Sequence, residues 1–168
     1  MKVMKFGGTS VGSPERIKNV CKLITNSGDP TFVVLSAMSG TTNSLVEITD
    51  YLYKKNQEGA SEIINRLEEK YIKVANELFS TEEYKSKGLD FLKGEFEYLH
   101  SFTKDFFTSF EEKAIVGQGE IISTNLTAEY LEEQNVKVVL FNALDFMRTD
   151  KNGEPDMQYI KEKLGELM

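Results

Sequence analysis

The chain has 168 residues with a formal net charge of −7, and 40% of its residues are hydrophobic. A chain of this length fits one domain with a sizeable core. Basic residues are interleaved with acidic ones, which excludes the basic patch of a nucleic-acid-binding protein and a polybasic membrane-binding arm. No apolar run approaches the ~18 residues of a membrane span, and a glycine-rich turn interrupts the region where a signal peptide would be apolar. We therefore predict a cytoplasmic protein whose partners include no nucleic acid and no membrane.

A glycine-rich loop follows the first predicted strand. Residues 2–6 form a mostly apolar run that continues into Gly7, Gly8, Thr9 and Ser10. Two adjacent glycines let the backbone turn sharply and approach a ligand, and bare amides beside hydroxyls suit an anion such as phosphate. Lys5, at the end of the strand, adds a positive charge. A tight strand-to-helix turn with Lys5 extended into solvent accounts for the same residues, because the chain has neither a Walker A nor a dinucleotide-binding motif.

The first 36 residues predict a β-α-β unit. Ser13 is suited to cap a helix that starts at Pro14 and ends near Asn26. Residues 31–35 are rich in β-branched side chains and predict a second buried strand, parallel to the first. The small, polar segment 36–43 follows that strand. Since open α/β sheets bind ligands at the carboxyl ends of their strands, we expect both loops to share one edge of the sheet.

Residues 58–110 are predicted to be mostly helical, because apolar residues recur there at helical spacing. We expect the aromatic side chains of this region to pack helix on helix rather than to bind nucleotide bases. The apolar members of its second amphipathic stretch are Phe91, Leu92, Phe96, Leu99, Phe102, Phe106 and Phe107.

Another helix is predicted over residues 112–134, and its start contains Gly117, Gly119 and Glu120. Glycines are costly within a helix, so their presence beside a carboxylate indicates a functional site. Residues 136–141 predict a third strand, and Asp156 is placed to cap a final helix.

The two residues most often found at zinc or redox sites are isolated here. Cys21 lies on an apolar helical face, which predicts a small buried side chain rather than a nucleophile. His100 has no second His or Cys to complete a zinc site, so the sequence identifies no metal ligand.

Four segments together resemble the aspartokinases, within the amino acid kinase fold. K-F-G-G-T-S-V at Lys5–Val11 is similar to their opening motif, and L-S-A-M-S-G-T-T-N at Leu35–Asn43 to the loop after their second strand. V-G-Q-G-E-I-I-S-T at Val116–Thr124 resembles their G-E-x-x-S helix, and F-M-R-T-D at Phe146–Asp150 is similar to a fourth segment.

This resemblance implies an α/β fold, namely a three-layer αβα sandwich with a mainly parallel sheet and a helical subdomain around residues 58–134. It also implies that residues 1–168 are the N-terminal portion of an amino acid kinase catalytic domain, a single incomplete domain. Aspartokinases continue with a second nucleotide-binding half, so we expect the 168 residues alone to have little or no kinase activity.

The activity implied by the resemblance is aspartate kinase. Such an enzyme uses MgATP to phosphorylate the β-carboxylate of L-aspartate, which gives 4-phospho-L-aspartate for lysine, threonine and methionine biosynthesis. The implied partners are L-aspartate and ATP with Mg²⁺, although no Mg²⁺ ligand is identified in this chain.

The resemblance also assigns roles to individual residues. Lys5 would stabilise charge on the transferring phosphoryl group. The phosphate of ATP would be bound by the glycine-rich loop, in which Gly7 and Gly8 would offer backbone amides to the phosphate oxygens with Thr9 and Ser10 nearby. Ser36 and Thr42 would lie in the aspartate pocket, and Glu120 would pair with the α-ammonium of the substrate. A helix N-cap for Thr42 and a solvated helix glutamate for Glu120 are the plainer interpretations of those two residues.

Two alternatives stay open. One is another amino acid kinase, for glutamate or carbamate, and the other is a non-catalytic aspartate- or nucleotide-binding module. A sheet with an exposed edge invites self-association, so we also predict a homo-oligomer or a rearranged helix packing.

Overall fold

The computed structural model describes residues 2–26, 28, 30–104 and 106–167. They divide into two compact units, one comprising the residues up to Val138 and the other the residues from Val139 onward.

The first unit opens with the predicted β-α-β arrangement. Strand β1 (Lys2–Phe6), helix α1 (Pro14–Thr25) and strand β2 (Thr31–Leu35) follow one another, and the two strands pair in parallel, with Phe6 opposite Leu35. The Ser13 hydroxyl accepts a hydrogen bond from the Arg16 amide at 3.3 Å. Pro14 occupies the first turn of α1, where its missing N–H is not needed. The predicted strands, cap and helix start are confirmed. The predicted burial of the two strands is wrong, because Val3 in β1 is 63% exposed and Val34 in β2 is 43% exposed.

The described residues of the first unit form five further helices: α2 (Thr41–Tyr53), α3 (Gln57–Leu78), α4 (Glu82–Ser101), α5 (Ser109–Val116) and α6 (Gln118–Glu133). Their apolar faces form a continuous core with α1 and β2, in which the side chains of Ile17, Leu45, Tyr71, Phe96 and Ile122 are fully buried. Helix-on-helix packing of the aromatic stretch is therefore confirmed for Phe96. The prediction is wrong for Phe106, whose side chain is 98% exposed. Cys21 is buried as predicted.

The helix predicted over residues 112–134 is two helices. A capping box in which Thr108 and Glu111 bond reciprocally starts α5 at Ser109, three residues before the predicted start. Gly117 then serves as the end of α5 and the beginning of α6, with helical backbone angles (φ −68°, ψ −15°). The glycine therefore separates two helices without a loop between them.

The strand predicted over residues 136–141 is wrong within the described residues, which contain only β1 and β2 as strands. The Val136 amide donates to the Leu131 carbonyl at 2.9 Å and so closes the end of α6, where Asn135 is left-handed (φ 59°). Val139 and Leu140 are 66% and 43% exposed, so no neighbouring strand covers them. The class is α/β as predicted, and the three-layer sandwich stays a prediction.

The second unit contains helices α7 (Ala143–Phe146) and α8 (Met157–Leu167). Asp156 caps α8 as predicted, since its carboxylate accepts from the Tyr159 amide at 3.1 Å. The same carboxylate pairs with Arg148. That pair connects the F-M-R-T-D segment to the start of α8.

None of the helices among the described residues is long and apolar enough to cross a membrane.

Candidate functional site

Two loops meet at the carboxyl ends of β1 and β2, as the sequence predicts. We call residues 7–12 the glycine loop and residues 36–40 the Ser36 loop. The Ser36 amide donates to the Phe6 carbonyl at 3.1 Å, which extends the strand pairing into the loops. The Ser39 amide then donates to the Gly8 carbonyl at 3.2 Å. These two bonds fix the loops against each other.

The contact between the loops requires a glycine at position 8. A β-carbon at Gly8 would lie 2.6 Å from the Ala37 carbonyl oxygen, a distance that real β-carbons essentially never show. A β-carbon at Gly7 would meet nothing within 4 Å. Of the two adjacent glycines, only Gly8 is demanded by packing.

The glycine loop presents donors suited to an anion. The Ser10 amide is used within the loop, donating to the Gly7 carbonyl at 2.8 Å. The amides of Gly8 and Thr9 donate to no acceptor in the described part of the chain, and the side chains of Thr9 and Ser10 are exposed. Arg16 stabilises the loop from α1, because its guanidinium donates to the Thr9 carbonyl at 2.7 Å. Free amides beside exposed hydroxyls form the concavity that binds phosphate oxygens.

Helix α6 directs its first turn at the Ser36 loop. The Glu120 carboxylate accepts a hydrogen bond from the Ala37 amide through Oε1 at 3.2 Å. A β-carbon at Gly119 would lie 2.7 Å from the β-carbon of Ala37 and 3.3 Å from side-chain atoms of Thr41 and Leu45. The absence of a side chain at Gly119 therefore lets α6 approach the loop closely enough for Glu120 to bond it. The glycine beside a carboxylate marks a built contact, as the sequence indicated.

Two residues of α3 contact the Ser36 loop and the first residue of α2 that follows it, and sequence reasoning missed both. The Lys70 ammonium donates to the Ser39 carbonyl at 3.0 Å, and burial lowers the pKa of Lys70. The Tyr71 hydroxyl shares a 2.8 Å hydrogen bond with the Thr41 hydroxyl. The pKa of Tyr71 is raised to about 12, because burial and the charge of Glu120, which raise it, outweigh the hydrogen bond to Thr41, which lowers it. Helical spacing placed Tyr71 in the core, and no sequence signal distinguished Lys70 from other helix lysines.

The remaining predicted site residues are less closely joined. Lys5 is exposed in β1 and lines a surface depression with Leu23 and Asn26. Thr42 is exposed in the first turn of α2 and does not cap it. Gly40 holds the cap position, with φ 82° and no side-chain bond. Hydrogen bonds thus connect Gly8 and Glu120 to the Ser36 loop. Lys5 and Thr42 lie near this contact because they are close in sequence to the two loops.

In the ranges that the structure describes, no group of three or more His, Cys, Asp or Glu side chains is arranged to hold a metal ion. His100 bonds the Asn65 side chain at 3.1 Å instead.

Comparison with protein families matches the amino acid kinase family over residues 1–168. The chain belongs to the amino acid kinase family. Two similar proteins are aspartokinases. The chloroplastic aspartokinase 1 of Arabidopsis thaliana is 34% identical over 88% of this chain and 26% of its own length. The aspartokinase of Chlamydia muridarum is 30% identical over 99% of this chain and 36% of its own length.

Solved structures show the same fold. Escherichia coli aspartokinase III, solved in complex with aspartate and ADP, matches 99% of this chain and 37% of its own chain, with a TM-score of 0.81 and 24% identity. The resemblance to aspartokinases predicted from the four segments is confirmed. This member of the amino acid kinase family spans between 26% and 36% of the length of the curated aspartokinases named above.

Proposed function

We propose that this chain carries the aspartate pocket and the phosphate-binding loop of an aspartate kinase. The reaction is the ATP-dependent phosphorylation of the L-aspartate β-carboxylate to 4-phospho-L-aspartate, in lysine, threonine and methionine biosynthesis. The observation that carries this proposal is the meeting of three segments at one point. The Gly8 carbonyl and the Glu120 carboxylate come from distant parts of the sequence. Each accepts a hydrogen bond of 3.2 Å from a backbone amide of the Ser36 loop.

The glycine loop is proposed to hold the phosphates. The free amides of Gly8 and Thr9 and the exposed hydroxyls of Thr9 and Ser10 are donors suited to phosphate oxygens. Gly7 leaves the approach to them open, because a β-carbon there would meet no atom within 4 Å. Lys5, at the end of β1, is proposed to swing towards the same oxygens and to balance their charge.

The aspartate is proposed to lie against Ser36 and Thr42, with its α-ammonium at Glu120. One oxygen of Glu120 is engaged with the Ala37 amide. The second accepts no hydrogen bond from the described residues, and the side chain is exposed. A carboxylate that is held through one oxygen and open at the other is suited to a charge-assisted bond with an ammonium group. Glu120 would then join the substrate to the loop that surrounds it.

This arrangement fits the chemistry of phosphoryl transfer, which depends on positioning and on stabilising dispersed negative charge. ATP with Mg²⁺ supplies the phosphoryl group. The β-carboxylate that accepts it is ionised at neutral pH, so the site needs no strong base. What these residues do is orient the carboxylate and shield the phosphate charge.

Several broader statements belong to the same proposal. We propose that residues 1–168 are part of one catalytic domain whose full form is a three-layer αβα sandwich, and that the protein is a cytoplasmic homo-oligomer. The proposal names L-aspartate and ATP as partners, and neither nucleic acid nor membrane.

Calorimetric titration of the chain with L-aspartate, L-glutamate and ATP tests the proposal. We expect aspartate to bind more tightly than glutamate, and Glu120→Gln to weaken aspartate binding about tenfold or more through loss of a charged hydrogen bond. Glu83→Gln is the matched control, since Glu83 also lies in the first turn of a helix, α4. It should leave aspartate binding unchanged.

The outcomes separate the alternatives. Preferential binding of glutamate would favour another amino acid kinase. Aspartate-dependent ADP formation by the 168 residues alone would contradict the expected inactivity while supporting the reaction. If neither aspartate nor glutamate binds, the assignment of the pocket is wrong.

A further inference from the structure

Helix α3 contacts the Ser36 loop at Ser39 and the first residue of α2, Thr41. Resting on the proposed function, we propose that Lys70 and Tyr71 are positioning residues that fix this loop for aspartate binding. Both act through other groups, Lys70 through the Ser39 carbonyl and Tyr71 through the Thr41 hydroxyl. The two contact points, Ser39 and Thr41, flank Gly40, and Thr41 directly precedes Thr42.

The loop needs such support because it does not stabilise itself at Gly40. This residue is left-handed (φ 82°), and it offers no side chain to cap α2. The start of α2 therefore lacks the side-chain hydrogen bond that a Ser, Thr, Asp or Asn cap supplies. The two contacts from α3 lie immediately before and after this turn. They therefore limit the movement of the residues whose positions decide where Thr42 points.

Lys70 makes its contact under unfavourable solvation. Burial lowers the pKa of its ammonium group, so the cation loses part of its hydration where it bonds the Ser39 carbonyl at 3.0 Å. The same ammonium group lies 5.8 Å from the centre of the Tyr71 ring, within the range of a cation–π contact. A charged donor forms a stronger hydrogen bond to a carbonyl than a neutral donor does. Lys70 is therefore a firm anchor for the loop backbone.

Tyr71 makes its contact in the core. Tyr71 and Thr41 are both fully buried, and their hydroxyls lie 2.8 Å apart. Removing one hydroxyl would leave the other without this partner away from water, which is unfavourable. Thr41 is the first residue of α2, so this bond fixes where the helix begins relative to α3.

Loop motion can be measured without any ligand. The amides of Ser39 and Thr41 are hydrogen-bonded in the loop, to Gly8 and Met38. We expect Lys70→Met to increase their hydrogen-exchange rates about tenfold, because local opening becomes easier. Lys73→Met is the matched control, since Lys73 is an exposed lysine of the same helix, and it should leave these rates unchanged. Lys70→Arg, which keeps a charged donor, should restore slow exchange in part.

Ligand binding provides the second readout. In Lys70→Met we expect the Kd for aspartate to rise about tenfold and the Kd for ATP to stay the same, as the loss of a charged hydrogen bond predicts. Tyr71→Phe should show the same split, and it keeps the ring in the core. A uniform loss of both affinities would indicate a merely structural role and would overturn the inference.

The two proposals fail in different ways. If the wild-type chain does not bind aspartate, the proposed function fails, whatever the exchange rates show. If it binds aspartate but Lys70→Met leaves both the loop exchange and the aspartate Kd unchanged, the positioning inference fails alone.

Discussion

Replacing Gly119 by alanine should lower the stability of the protein and its affinity for aspartate, although the same change usually stabilises a helix. Alanine is favoured over glycine inside a helix by about 1 kcal/mol. Gly119 lies in the first turn of α6, where this gain is smaller than in the middle of a helix. The packing around the new methyl group therefore decides whether the substitution stabilises or destabilises the protein.

The magnitude follows from the contacts. The added β-carbon would lie 2.7 Å from the β-carbon of Ala37, an atom attached directly to the loop backbone. No side-chain rotation relieves that overlap, so either α6 or the Ser36 loop must move. Overpacking of this kind costs about 1–3 kcal/mol. Subtracting the helix gain, we expect a net loss of stability of about 1–2 kcal/mol. The bond from the Ala37 amide to Glu120 should lengthen as the loop moves.

Urea unfolding of the variant measures the stability change, and calorimetry with L-aspartate measures the site. Gly94→Ala is the matched control. Gly94 lies in the middle of α4, and a β-carbon there would meet nothing within 4 Å. That variant should be more stable than wild type by about 0.5–1 kcal/mol and should bind aspartate normally. The reasoning is refuted if Gly119→Ala is stabilised as Gly94→Ala is, or if it binds aspartate with unchanged affinity.

Three further predictions follow from single side chains. Gly88→Ala should lose about 1–3 kcal/mol in urea unfolding, because the new β-carbon would overlap the buried ring of Phe79; a stabilised variant would contradict this. Burial raises the pKa of the Cys21 thiol to about 12, so the native protein should react with a thiol reagent at pH 8 far more slowly than the unfolded chain, and equal rates would exclude this burial. Burial also raises the pKa of Glu129. Its protonated form therefore stabilises the fold at acid pH, and this contribution is lost as pH rises through the folded-state pKa. Glu129→Gln should raise the thermal midpoint at pH 7.5, with a smaller gain near pH 4, whereas a pH-independent difference would contradict the shift.

The elements that could be predicted from the sequence are those with strong local signals. Ser13 and Pro14 fixed the start of α1, and the β-branched run at residues 31–35 formed the expected strand. Gly8 after β1 and the Gly119–Glu120 pair in α6 both lie at close contacts with the Ser36 loop, and these contacts explain the glycines. That these residues form a functional site stays a prediction.

The failures concern features that depend on distant partners. A strand needs a neighbouring strand, and the sheet of the described residues contains only β1 and β2, so the valine-rich run at residues 136–141 is not a strand there. Phe106 fits a helical apolar period but lies beyond the end of α4 and is exposed. Lys70 carries no local mark at all, because its partner, the Ser39 carbonyl, lies 31 residues earlier in the chain.

The central claim is that the Ser36 loop and Glu120 form an aspartate pocket, and a nitrogen–proton NMR titration with L-aspartate tests it most directly. The account predicts that the shifts concentrate at the amides of residues 36–42 and at Glu120, and that Glu120→Gln abolishes them while Glu83→Gln does not. Saturable shifts located elsewhere, or identical shifts in Glu120→Gln, would contradict the account.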